Sequence, residues 1–117
     1  MKKDIETIED ISLFVNKFYD KLLADNSINH HFNSLEIKSH LQVIIDFWST
    51  ILLGTQIYKN NTIQAHKHLE LKKEDFGIWI NHFNTTLDEY FEGDKANEAK
   101  SRAKTIGLTM RYKLLGE

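Results

Sequence analysis

Ala65-His66-Lys67-His68-Leu69 is the stretch on which the reading of this chain turns. It lies between two apolar helical patterns, each with polar groups on its apolar face. Upstream runs Ile37 to Leu53, with His40 near its start; downstream runs Phe76 to Phe91, with Trp79. A third pattern near the N-terminus carries Tyr19. Histidine, tryptophan and tyrosine on three converging apolar faces are the pattern to be explained.

Working outward, the downstream pattern is the clearest helix. Over residues 74–91, Phe76, Trp79, Ile80, Phe83, Leu87, Tyr90 and Phe91 recur at steps of three or four, the period of one helical face. His82 lies off this stripe and reads as solvated. Upstream, residues 35–53 carry two neighbouring stripes. One is Leu41, Ile44, Ile45, Trp48, Ile51 and Leu52; the other is His40, Ile44, Phe47 and Ile51. That apolar arc is wider than a surface helix needs. Gly54 suits the end of this helix.

Residues 7–24 form a further helix, with Thr7 and Asp10 as a capping box. Ile8, Ile11, Phe14, Val15, Phe18, Leu22 and Leu23 make its apolar face, and Tyr19 sits on the border. Asp25-Asn26-Ser27 ends it. Residues 28–34 read as a connector or short turn anchored by Phe32, with His30 and His31 solvated. Residues 55–61 are a polar link, and 62–71 a short helix or turn. Beyond Glu92-Gly93, Asp94 is expected to cap a last helix over 95–115. Its inner face is Ala96, Ala99, Ala103, Ile106, Met110 and Leu114.

The whole reads as all-α, with four main helices and one short one, in a single domain spanning residues 1–117. The 117 residues contain no proline and only five glycines, which favours long helices over turn-rich architectures. A formal net charge of -2 offers nucleic acid no basic field. No apolar run reaches the roughly 18 residues of a membrane span, and Met1-Lys2-Lys3-Asp4-Ile5 opens no secretory signal. The cytoplasm is the expected compartment. The absence of cysteine excludes disulfides, zinc–thiolate sites, iron–sulfur clusters and thiol chemistry.

Buried indole and phenol groups need hydrogen-bond partners. Each of Tyr19, His40 and Trp79 could be satisfied by an ordinary backbone carbonyl. Their convergence instead suggests a pocket for a large apolar, metal-centred cofactor. A neutral imidazole is the usual protein ligand for haem iron when the opposite side must stay open for a gas. His66 can supply it. Ile44, Phe47, Phe32, Phe83 and Met110 can line a flat apolar slot. Tyr19, Trp79 and His40 can donate to a bound diatomic that acquires negative charge.

In their order and spacing, Phe18-Tyr19, His40 followed by Ile44, Phe47-Trp48, Gly54, Tyr58, His66, Phe76 and Trp79 resemble a group III truncated haemoglobin, from about Ile11 to Tyr112. The resemblance implies a shortened globin, two helix pairs packed two-over-two around haem b. It implies His66 as the proximal iron ligand and Tyr19 and Trp79 as distal hydrogen-bonding groups. His40 would be a distal histidine able to act as a gate, Ile44 an apolar distal wall, and Phe32 a contact on the haem face. Trp48, Tyr58 and Phe76 join the cofactor-binding set. This chain departs from the family pattern at Thr62, where a proline is frequent, and at Ile37, where a tryptophan is frequent. The segment from Phe32 to His40 is shorter than in some members. His66 fits the spacing to both Tyr58 and Trp79; aligning on Leu69 instead would make His68 the ligand.

The function this implies is binding of O2 and other diatomic ligands, nitric oxide and carbon monoxide among them, at a pentacoordinate, histidine-ligated iron. Strong distal hydrogen bonds in a low-dielectric pocket predict slow O2 release. That suits ligand retention or redox chemistry, such as nitric oxide dioxygenation or a peroxidase-like reaction, better than bulk transport. Either reaction needs an external reductase, since the chain carries no flavin or nicotinamide motif. Two other classes compete. One is a cofactor-free helical interaction module; the other is a non-haem metal enzyme using His66, His68 and Glu70. A core in which Tyr19, Ile44 and Trp79 pack directly on one another would exclude haem.

Overall fold

The computed structural model describes residues 2–32, 36–54 and 72–116. Helix α1 spans Ile8–Ala24 and begins with the expected capping box: Thr7 Oγ1 accepts from Asp10 N at 3.1 Å, and Asp10 Oδ2 accepts from Thr7 N at 3.1 Å. Two orphan amides of the first turn are thereby satisfied. A 3-10 turn follows over Asn29–Phe32. Helix α2 spans Ile37–Leu53, with the Glu36 carboxylate accepting from Ser39 N at 3.1 Å. It ends at Gly54, whose φ of 71° is the left-handed cap that glycine adopts without strain. Helix α3 spans Lys73–Tyr90 and helix α4 spans Asp94–Leu115. No strand occurs among the described residues.

Helix α1 packs against both α2 and α3, and α3 packs against α4. Two helix pairs, α1 with α2 and α3 with α4, are thus layered one on the other. The layers meet at a cluster of rings. Phe83 of α3 lies with its centroid 5.7 Å from Phe14, 5.3 Å from Phe18 and 5.1 Å from Trp48. The first two are edge-on contacts, an arrangement the ring quadrupoles favour. Ala96, Ala99 and Ala103 are all but fully enclosed, as expected for the inner face of α4. Their small side chains let α4 lie close to its neighbours. Ile5 and Ile28, which flank α1 outside any helical periodicity, are also in the core.

The start of α4 corrects an expectation. Asp94 is the first helical residue rather than the cap. The capping carboxylate comes from Asp4, whose oxygens accept from Lys95 N at 2.9 Å and Ala96 N at 3.0 Å. Burial alone would raise the Asp4 pKa, but hydrogen bonds from Lys95, Ala96 and Ile5 amides hold it below the usual carboxylate range. Glu92 N donates to Lys3 O at 2.9 Å, so the N-terminal segment is stapled across the α3–α4 link. Gly93 is required there. Its φ is 141°, and a Cβ would stand 2.6 Å from Asp4 Cγ.

Candidate functional site

Tyr19 lies near the C-terminal end of α1, one residue after Phe18. Its side chain is buried rather than on the border of the apolar face, with 5% exposure. The Tyr19 Oη and His40 Nε2 atoms are 2.8 Å apart, so His40 of α2 turns toward α1 and one proton is shared between them. Burial pushes the Tyr19 phenol well above its ordinary range, so it keeps its proton throughout the physiological range. Phe32 packs edge-on against Tyr19 at 5.7 Å. The 3-10 turn therefore closes one side of the phenol, and His40 closes another.

Trp79 of α3 comes at the same region from the other layer. Its ring lies 6.0 Å from Phe18 and stacks on Phe83 at 5.7 Å. Gly107 of α4 faces it, and a Cβ there would stand 3.6 Å from the indole, at ordinary van der Waals distance. The indole is half-buried, and its N–H makes no hydrogen bond among the described residues. Tyr19 and Trp79 each contact Phe18 and make no ring contact with one another.

The remaining expected lining residues divide by depth. Ile44 and Phe47 are half-buried, as are Phe32 and Phe76. Trp48, Phe83 and Met110 are in the core, at 3%, 0% and 6% exposure. Phe83 is correspondingly placed behind Trp79, where it fixes the indole rather than lining an open face. Tyr58, His66 and His68, and with them the expected short helix over 62–71, lie outside the described residues. Among the described residues no group of three or more histidine, cysteine, aspartate or glutamate side chains could hold a metal ion.

Two histidines depart from the reading of them as solvated. His31 Nε2 is 2.9 Å from Asp75 Oδ2, with side-chain exposures of only 6% and 8%. His82 Nε2 is 2.7 Å from Asp25 Oδ2, and both side chains are partly buried. His30 is exposed, as expected. No apolar periodicity marks His31 or Asp75, and the two are 44 positions apart. The legible hint was at Asp75, three residues after Lys72 and suited to capping the first turn of α3. Its Oδ2 accepts from Lys72 N at 2.8 Å.

Two apolar stripes on one helix, two ring donors from opposite layers and a layered pair of helix pairs define a globin of the shortened, two-over-two kind. The comparisons agree. A sequence model of the bacterial-like globin family matches residues 4–110, and the chain belongs to that family, whose members bind diatomic gases at haem. It is 34% identical to a group 1 truncated haemoglobin of Tetrahymena pyriformis over 86% of this chain and 81% of that one. It is 32% identical to its counterpart in Tetrahymena thermophila over 67% of this chain and 65% of that one. The fold is similar to the crystal structure of a group III truncated haemoglobin from Campylobacter jejuni, with a TM-score of 0.88 and 26% identity, covering 97% of this chain and 95% of that one. The likeness to the group III fold expected from Phe18-Tyr19, His40 and Trp79 is thus present.

The residues fit the cofactor. The half-open apolar side chains of Phe32, Ile44, Phe47 and Phe76 suit a flat macrocycle. The Tyr19 phenol and the half-buried Trp79 indole provide polar groups from the two helix layers. No helix among the described residues is long and apolar enough to cross a membrane.

Proposed function

We propose that this chain binds haem b with His66 as the proximal ligand. Haem held there would supply an iron able to take O2 or another diatomic. The observation that carries this reading is the Tyr19–His40 contact of 2.8 Å beside the half-buried Trp79 indole. Haem supplies an iron centre that binds a diatomic ligand and can exchange electrons with it. Phe32, Ile44, Phe47 and Phe76 hold the macrocycle by apolar contact and exclude water from it. Trp48, Phe83 and Met110 back them from the core, and Tyr58 would join the cofactor-binding set as the family resemblance implies.

The proton between Tyr19 and His40 decides which donor faces the ligand. With the His40 proton on Nδ1, the Tyr19 hydroxyl donates to Nε2 and is spent. With the proton on Nε2, His40 donates to the Tyr19 oxygen, and the phenolic proton is free to donate to a ligand that acquires negative charge. The Trp79 N–H supplies a second donor that does not depend on this choice. Two donors in a low-dielectric site bind a polarised ligand tightly. The function is therefore O2 retention or redox chemistry with O2 and nitric oxide, in the cytoplasm, rather than bulk transport. Nitric oxide dioxygenation and peroxidase-like turnover are the reactions that fit, each with a separate reductase as electron donor. Carbon monoxide would bind as an unreactive probe.

The first test is an absorption spectrum of the purified protein, expressed with haem available, before and after dithionite and carbon monoxide. A Soret band that shifts with both treatments is expected. A protein that stays colourless after reconstitution with hemin would leave the helical interaction module as the better reading. His66→Ala is expected to lose the haem and His68→Ala to keep it; the reverse result would move the proximal ligand to His68. Tyr19→Phe is expected to raise the O2 dissociation rate about tenfold or more, the effect of one hydrogen bond to a charged acceptor. An unchanged rate would remove the phenol from the mechanism.

A further inference from the structure

The His31–Asp75 contact joins the start of the helix that carries Trp79 to the 3-10 turn whose Phe32 packs on Tyr19. Asp75 is in the first turn of α3, four residues before Trp79, which puts the two on the same side of that helix. Its Oδ2 accepts the amide of Lys72 at 2.8 Å, the bond that starts the helix, and lies 2.9 Å from His31 Nε2. His31 is in the 3-10 turn, immediately before Phe32. Phe32 in turn packs on Tyr19 at 5.7 Å, and Tyr19 is bound to His40. One carboxylate oxygen therefore lies between the α3 start that sets Trp79 and the turn that sets Tyr19. Both partners are nearly enclosed. A buried polar pair of this kind is costly to break, because the surviving partner is left without its bond. An apolar pair would serve the packing equally well, but it would fix no direction. A hydrogen bond between two buried side chains fixes both distance and angle.

A second tie repeats the arrangement. His82, seven residues beyond Asp75 and hence on the same face of α3, is 2.7 Å from Asp25 at the end of α1. The stretch from Asp25 to Phe32 is thus held to α3 at both ends, with the donor and acceptor roles reversed between them. The tie next to Phe32 is the more enclosed of the two.

Resting on the proposed haem function, we infer that His31 and Asp75 are positioning residues for the distal site. Their bond sets Phe32 against Tyr19 and so holds the phenol within reach of a ligand that Trp79 also faces. The rate of ligand escape then depends on a pair that touches neither ligand nor cofactor.

The test compares His31→Leu, which removes the bond, with His31→Gln, whose side-chain amide can still donate to Asp75. Both are examined in the full chain, with haem and without it. In the haem-free protein the readout is the nuclear Overhauser contact between the rings of Phe32 and Tyr19. In the haem-loaded protein it is the C–O stretching band of the carbon monoxide complex and the O2 dissociation rate. His31→Leu is expected to lose the ring contact, to add a second C–O band and to raise the O2 dissociation rate about fivefold or more. His31→Gln should restore all three to near wild type. In a Tyr19→Phe background, His31→Leu should change the O2 rate less than twofold, because its effect runs through the phenol. Loss of thermal stability in His31→Leu with the ring contact, the band and the rate all unchanged would overturn the inference. If His31→Leu does not fold, His31→Ala, which also removes the bond to Asp75, replaces it under the same expectations. Failure of the wild-type chain to take up hemin would defeat the proposed function alone. The ring contact in the haem-free variants would then still decide whether the pair positions Tyr19.

Discussion

The seam between α1 and α3 and the outer stripe of α2 are built from the same kinds of residue and end up in different states. At the seam, Phe14, Phe18 and Phe83 are at 0–2% exposure, each meeting another ring edge-on. On α2, Ile45, Trp48 and Leu52 are buried in the same way, but Leu41, Ile44, Phe47 and Ile51 beside them are only partly covered. An apolar arc that exceeds what its helix neighbours enclose is either a partner surface or a cofactor surface. The donors Tyr19 and Trp79 favour the second.

The sharpest way to break this comparison is to truncate one phenylalanine from each region. Phe83→Ala is expected to cost about 3–5 kcal/mol, the cost of removing a fully enclosed ring, measured by urea unfolding of the haem-free protein. Phe47→Ala should cost the haem-free protein clearly less but speed hemin loss at least tenfold. Equal destabilisation by the two, with hemin held as tightly as before, would mean that α2 has only one kind of apolar face.

A smaller effect is expected at the strap. Asp4→Ala removes the carboxylate that caps α4 and should cost about 1–2 kcal/mol, in the range of strong helix caps. Hemin retention and O2 dissociation should stay within twofold of wild type, since the cap lies at the far end of α4 from Gly107, which faces Trp79. Smaller again is Trp79→Phe. The stack on Phe83 and the edge contact with Phe18 survive, and only the N–H is lost. Unfolding free energy should change by less than about 1 kcal/mol, while O2 escape becomes several-fold faster. A large loss of stability would show that the indole belongs to the core, as Phe83 does, and would move it out of the distal site.

What the sequence made legible follows from what is local. The capping box at Thr7 and Asp10, the end of α2 at Gly54 and the stripes of α1 and α3 are set by residues within a turn of one another, and they are where periodicity places them, except that Ile8 and Leu23 at the two ends of the α1 stripe are exposed. The family resemblance reached the fold because it rests on order and spacing along nearly the whole chain. The ties that hold the layers were not legible. Asp4 caps a helix that starts ninety positions later, and His31 and His82 are bound by acids on other elements. A histidine off an apolar stripe looks solvated because its partner contributes nothing to the local pattern. Tyr19 was placed at a border for the same reason: the phenol is enclosed by Phe32 and His40, neither of them on its own helix.

The more exposed of the two histidine ties gives the most delicate comparison, between Asp25–His82 and His31–Asp75. The Ser27 hydroxyl, with His82 and the Ser27 amide, pulls the Asp25 carboxyl down to about 2. An unfolded chain would titrate it near the ordinary aspartate value, so the folded form releases this proton more readily. The stabilisation is then complete above about pH 4 and is lost as the pH falls toward 2. Asp25→Asn should therefore flatten part of the acid limb of a stability–pH curve between those values and leave the neutral region almost unchanged. Ser27→Ala should do the same in smaller measure. The Phe32–Tyr19 ring contact should survive both substitutions, because the other tie still holds the turn. If Asp25→Asn instead displaces Phe32 at neutral pH, the two ties act as one unit, and the task assigned to His31 and Asp75 is shared along the whole connector.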